Sequence, residues 1–204
     1  MYVLSLILSQ LSPFCMDRSG LKQEFQTAFR ILMLDKHEME RVAHDDQKTL
    51  VAFLFLAFPM VANVVLASLT VRHFSSYHFQ ALLGGLVLSV VGIFLASYIA
   101  GKGFRGTAHH MGFFRTVGYG SFVGWLNMVV YVYLLFGIGG LSGVKGVISF
   151  IVGIWTLVVF YKALCNVHNL KDGDAVIVIV ATIVGMLVIQ GVFVRLFGFT
   201  GGIF

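Results

Sequence analysis

Long apolar stretches separated by short charged segments set the pattern of this chain. Five of them, Thr49–Val71, His73–Gly101, Thr116–Val144, Gly146–Tyr161 and Ala175–Val194, contain no Asp, Glu, Lys or Arg. The hydrocarbon core of a bilayer takes roughly 20 apolar residues as a helix, with about 17–25 the usual range. All but Gly146–Tyr161 reach that length, and Lys162 extends this shorter stretch by snorkelling its ammonium to the interface. The pattern predicts an all-α integral membrane protein with spans at about 49–71, 80–101, 116–138, 146–164 and 175–196, making up a membrane domain over 49–204. The valine-rich AVIVIVATIV of the last stretch could pass for a buried strand. Its length and lack of turn residues before Gly185 favour a helix, with Asp172 or Asp174 capping it.

Ahead of the spans, residues 23–48 form an amphipathic helix and linker. Phe25, Phe29, Leu32, Met33 and Met39 recur at helical spacing, while Arg30, Lys36, Glu40 and Arg41 fall mostly elsewhere. Such a helix either lies on the leaflet or docks on the bundle by the same stripe, and both arrangements stay open here. Residues 1–22 form a poorly defined segment, apolar through Leu11 but without a basic lead-in, and Met16 is an alternative start.

Within the spans, small residues recur four apart. Gly85 and Ser89, Gly92 and Ala96, Gly120 and Gly124, Ser149 and Gly153, and Ala181 and Gly185 each make a flat helix face, and helices without a hydrophobic drive between them associate through such faces. Packing within the bundle or in an oligomer is therefore expected. Pro59 should kink the first span. Asn63, Asn127 and Gln190 are polar at membrane depth, and interhelical hydrogen bonding is their simplest role; lining a transport path is the sharper alternative. Carboxylates are absent from the stretches themselves, which disfavours an acidic proton relay.

Composition agrees with the pattern. The chain is 58% hydrophobic and only 11% charged, against about 25% in an average soluble domain. The net charge of +5 would suggest nucleic acid in a soluble protein, but no basic stripe with interleaved exposed aromatics is present, so no nucleic-acid partner is expected. The charge reports topology instead. Arg18, Lys22, Arg30, Lys36, Arg41, Lys48, Lys102, Arg105, Arg115, Lys162 and Lys171 fall on one side of the five spans. Only Arg72, Lys145 and Arg195 fall on the other. The positive-inside rule then places the N-terminus in the cytoplasm and the C-terminus outside.

Candidate chemistry is sparse. His109 and His110 are adjacent, but no histidine pair shows the spacing of a zinc hydrolase. GKGFRG, residues 101–106, formally matches a dinucleotide loop yet follows a membrane helix and not a strand. Asp172-Gly173-Asp174 reads as a helix-starting turn. Cys15 and Cys165 read as free thiols, with acylation of Cys165 an alternative. No catalytic constellation, metal site or cofactor is expected.

Two stretches carry a family resemblance. FFRTVGYGSF, residues 113–122, resembles the glycine-tyrosine motif at the start of the third span in the Yip (Ypt-interacting protein) family. GIWTLVVFYKALCNVHNLKDGDAV, residues 153–176, resembles that family's passage from the fourth span to the fifth, with Ile154, Trp155, His168, Leu170 and Ala175 at its motif positions. Eukaryotic members have a longer polar N-terminus and a proline after the glycine-tyrosine pair, where this chain has Phe122, Val123 and Gly124. The compact prokaryotic members are the better match. The resemblance implies a five-span, non-enzymatic scaffold or adaptor in a prokaryotic plasma membrane, or in a Golgi or endoplasmic reticulum membrane if the source is eukaryotic. Its partners would be the lipid bilayer and a homo- or hetero-oligomer or larger membrane complex; binding of Rab-type GTPases is not carried over. A small transporter, channel or lipid-moving protein is the alternative. In the motif, Arg115 is expected to snorkel to lipid phosphates, Tyr119 to keep its hydroxyl wet at the interface, and Gly118 to thin the helix with Gly120 and Gly124.

Overall fold

The computed structural model describes residues 18–71, 76–129 and 142–197, all organised as helices and short connections. Helix α1 spans Arg18–Leu32 and α2 spans Lys36–His44. The single amphipathic helix expected over 23–43 is therefore broken. Leu34 takes a left-handed backbone (φ 63°), and Asp35 accepts a hydrogen bond from the Glu38 amide at 3.2 Å as the N-cap of α2. A capping aspartate competes with helix continuation by satisfying the orphan amides of a new helix.

Both short helices dock on the bundle. The Phe25 ring meets Phe55, Phe122 and Trp125 edge-on at 5.5–5.6 Å. Ile31 and Met39 are fully buried.

Helix α3, Lys48–Val71, runs through Pro59. Helix α4 spans Ser76–Phe104 and α5 His110–Gly120, followed by a 3₁₀ turn at Ser121–Gly124 and helical residues 125–129. Helices α6, Ser142–Val167, and α7, Asp172–Phe197, complete the described chain. Four of these helices contain segments long and apolar enough to cross a membrane: Lys48–Leu66, Leu82–Phe104, Gly146–Val167 and Asp172–Val192. The span expected at 116–138 is described only as far as residue 129. Its helix begins at His110, earlier than expected, because His109 caps it by accepting the Met111 amide at 3.4 Å.

Burial is concentrated at one end of the bundle. Tyr119, Phe113, Leu164 and His168 are fully buried there, whereas Phe150, Ile151, Val184 and Val188 on α6 and α7 are more than half exposed. A polar-lined, closely packed end joined to an apolar-coated flank is the distribution that a hydrocarbon environment requires.

Some of the small-residue faces are used within the chain. A Cβ on Gly92 would lie 3.4 Å from the Met186 sulfur, and one on Gly185 2.9 Å from Leu95 Cδ2, so α4 and α7 pack through these positions. Ala96 is fully buried and Ser89 partly so. Gly124 rests on the Pro59 ring. Gly85 and Gly153 have nothing within 4 Å of the Cβ position, so they make no close helix approach within the described chain.

Candidate functional site

Helix α5 is the hub of the buried end, and its sequence explains why. Gly112 and Gly118 lie where a Cβ would stand 2.8 Å from the Ala43 carbonyl oxygen and 2.7 Å from that of Ala52, so α5 approaches α2 and α3 backbone to backbone. Gly120 has the same relation to the Val159 side chain of α6. Only glycine leaves room for such contacts.

This proximity lets polar side chains of α5 reach other elements. Arg115 does not snorkel to lipid. Its side chain is 8% exposed, Nε donates to Thr49 Oγ1 at 2.7 Å, Nη1 donates to the Ala43 carbonyl at 2.9 Å, and Nη2 pairs with Asp46. An early start of α5 has carried the guanidinium inside, where the planar fork ties the end of α2, its linker and the start of α3 together.

Tyr119 also departs from expectation. Its ring is fully buried, and its hydroxyl donates to Glu24 of α1, which is paired through its other oxygen with Lys48 of α3. A buried carboxylate is tolerable when both oxygens are matched in this way. Thr116 adds a bond from its hydroxyl to the Met39 carbonyl at 3.2 Å.

A third cluster joins α4, α5 and the α6–α7 turn. Ser97 Oγ lies 2.9 Å from both His110 Nδ1 and His168 Nε2. His168 is fully buried, and its Nδ1 has no hydrogen-bond partner among the described residues. A proton on Nδ1 would be unsatisfied, so the neutral ring that fits carries it on Nε2, donates to Ser97, and lets Ser97 donate to His110. Burial, together with the nearby His110, pushes the His168 pKa down to about 4. Gly106 closes the cluster, since a Cβ there would meet His168 Nδ1 at 2.7 Å. The glycine-rich segment after α4 is thus a helix-ending motif: Arg105 is left-handed (φ 56°) and the Gly106 amide reaches the Ala100 carbonyl at 2.9 Å. Asn169 (φ 54°) and the Leu170 amide end α6 in the same manner, and Leu170 is buried behind them.

Trp155 sits on α6 and donates from Nε1 to the Leu32 carbonyl at 3.2 Å, holding the last turn of α1. An open cleft of about 920 Å³ lies beside this packed end, and its α2 and linker wall is held by Arg115 and Thr116. Its rim carries His37 and His44 from α2, Asp45 and Asp46 from the linker, His109 from the α4–α5 loop and Asn169 from the α6–α7 turn. Among the described residues, no three His, Cys, Asp or Glu side chains gather as a metal site requires.

Asn63 Oδ1 is buried without a hydrogen-bond partner among the described residues, and Asn127 Oδ1 accepts from Ser149 of α6 at 3.3 Å. Gln190 lies partly buried on α7. Cys165 is a free thiol whose sulfur is 3.7 Å from Asp172 Oδ1; Cys15 lies outside the described residues.

Glu24, Lys48 and Ser97 belong to these clusters though nothing in the sequence singles them out as site candidates, and His110 stands out there only for its neighbour His109. A charged residue on an amphipathic helix and a lone serine in an apolar run give no signal of a partner far along the chain. A family model described as the Yip1 domain matches residues 31–194. No curated protein and no solved structure matches the chain.

Proposed function

This chain belongs to the Yip family of membrane proteins, and on that premise we propose that it works as a non-enzymatic scaffold or adaptor whose packed polar end presents a fixed platform to a partner. The observation that carries this reading is the anchoring of α1 and α2. Arg115 and Thr116 of α5 hold α2 and the linker that wall the cleft, while Glu24, Tyr119 and Trp155 hold α1, so the α2 side of the cleft needs no ordering when a partner arrives. Preorganisation of this sort lowers the cost of association. The excess of Lys and Arg on the segments at this end supports a cytoplasmic location for the platform. Gly85 and Gly153, open on the flank, offer faces for a second copy or another membrane protein.

Site-specific photo-crosslinking in the native membrane tests the reading. A crosslinker at His37 or His109 on the cleft rim should yield a discrete adduct, and one at Val188 on the apolar flank should not. Native mass spectrometry in lipid that finds isolated monomers, together with no adduct at either rim position, would overturn it.

A further inference from the structure

Helix α1 carries Lys22, Gln26 and Arg30 four apart, so they form one row along its surface. On one side of the row lies an apolar groove of about 470 Å³ floored by Phe25, Phe29 and Phe122. On the other lies a polar pocket of about 420 Å³ that adds Gln23, Thr27, Glu38 and Arg41. We propose that this paired site binds one anionic phospholipid, its phosphate on the Lys22–Arg30 row and an acyl chain over the phenylalanine groove. The proposal is independent of whether the cleft takes a protein partner.

Charge favours an anion. The polar pocket has three cations, Lys22, Arg30 and Arg41, against the single carboxylate of Glu38. Arg41 already bonds both Glu38 and Thr27, leaving the other two available. Lys22 makes no ion pair among the described residues, and Arg30 is 66% exposed and reaches Glu38 only at 3.9 Å.

The apolar half favours a lipid over a water-soluble phosphate. Phe25 and Phe122 pack on Trp125, whose ring stacks on Phe58 at 4.7 Å. Phe58 stands in the crossing segment Lys48–Leu66 and is 47% exposed, so the groove opens toward the bilayer-facing flank. On α1 Leu21 and Phe29 are at least half exposed, as is Met33 just after its end. An apolar patch rimmed by cations, at the junction of polar end and apolar flank, matches the boundary between headgroup and acyl chain.

The test uses the full chain in nanodiscs of phosphatidylcholine with or without phosphatidylglycerol, with retained lipid read by native mass spectrometry after detergent release. Phosphatidylglycerol should be retained selectively. The double variant Lys22→Gln/Arg30→Gln should weaken retention by roughly tenfold or more, since each cation near an anionic surface contributes measurably. The charge-matched variant Lys102→Gln/Lys171→Gln should leave it unchanged. Phe29→Gln should weaken retention without lowering the melting temperature, because that ring is exposed. Equal retention of the two lipids would overturn the proposal, as would equal loss in both double variants. Displacement of phosphatidylglycerol by soluble glycerol phosphate would show a headgroup-only site and would also overturn it.

Discussion

The Tyr119 hydroxyl donates to Glu24, a residue 95 positions earlier, and the same carboxylate holds Lys48 at the start of α3. One buried carboxylate thereby joins the first helix, the first long apolar helix and the hub helix α5. The pairing also explains how a glutamate is tolerated beside the apolar Phe25 cluster.

Removing either side of this pairing has different consequences. Tyr119→Phe deletes one hydrogen bond to a charged group and should cost about 1.5–3 kcal/mol. Glu24→Leu leaves the Lys48 ammonium, only 15% exposed, without its carboxylate, and should cost more, roughly 3–5 kcal/mol. Thermal or denaturant unfolding in a fixed detergent gives the order; equal or reversed costs would mean that Glu24 is not the shared acceptor.

Arg115 stitches the α2–α3 linker to α5. Arg115→Lys keeps the charge but cannot reproduce the three-way fork. It should expose the linker around Asp45–Gln47 to limited proteolysis at a faster rate than in the parent protein. A lysine variant cleaved at the parent rate would show that the fork is dispensable.

Glycine substitutions separate close approach from open space. Gly118→Ala directs a methyl at the Ala52 carbonyl, a backbone atom that cannot turn aside, and should cost about 1–3 kcal/mol. Gly153→Ala meets nothing within 4 Å among the described residues and should be neutral or stabilising by up to about 1 kcal/mol. Melting temperatures of the two variants in the same detergent check the contrast. A loss of stability in Gly153→Ala would reveal a neighbour beyond the described residues.

His168 makes stability depend on pH in a defined direction. Its pKa is about 4 in the fold against an ordinary 6.5, so the unfolded chain binds the proton more readily between those values. The contribution of the neutral ring is complete above about pH 6.5 and is lost as pH falls toward about 4, amounting to about 3 kcal/mol. Melting temperature measured across that window should fall more steeply for the parent than for His168→Gln. Parallel slopes would remove His168 from the account.

Much of the long-helix pattern was legible because hydrophobic run length is a local property. Trp155, His168 and Leu170 stand out by resemblance, and nothing in their spacing announces the hydrogen bond to Leu32, the Ser97 bridge and the buried end of α6 that they form. The Asp35 cap was hidden by an apolar stripe that continues across the break. Arg115 misled for a related reason: a basic residue at the edge of an apolar run looks like an interfacial anchor until the start of its helix is known. Gly106 carried a phosphate-loop spelling, but its use is to admit the His168 ring. Partners many residues apart leave no local spacing to read, and the polar end is built of such partners.

The hydrogen bond from Trp155 to the Leu32 carbonyl, across 123 residues of sequence, also constrains the order of biosynthesis. At roughly 5–20 residues per second, a ribosome takes about 6–25 s to travel that distance. For all of that time α1 is finished while the α6 part of its seat is not yet made. Helix α1 is therefore seated in stages, first on Phe55 of α3, then on Phe122 and Trp125, and last on α6, and until Trp125 emerges the Phe25 ring needs temporary shelter at the membrane surface or on a chaperone.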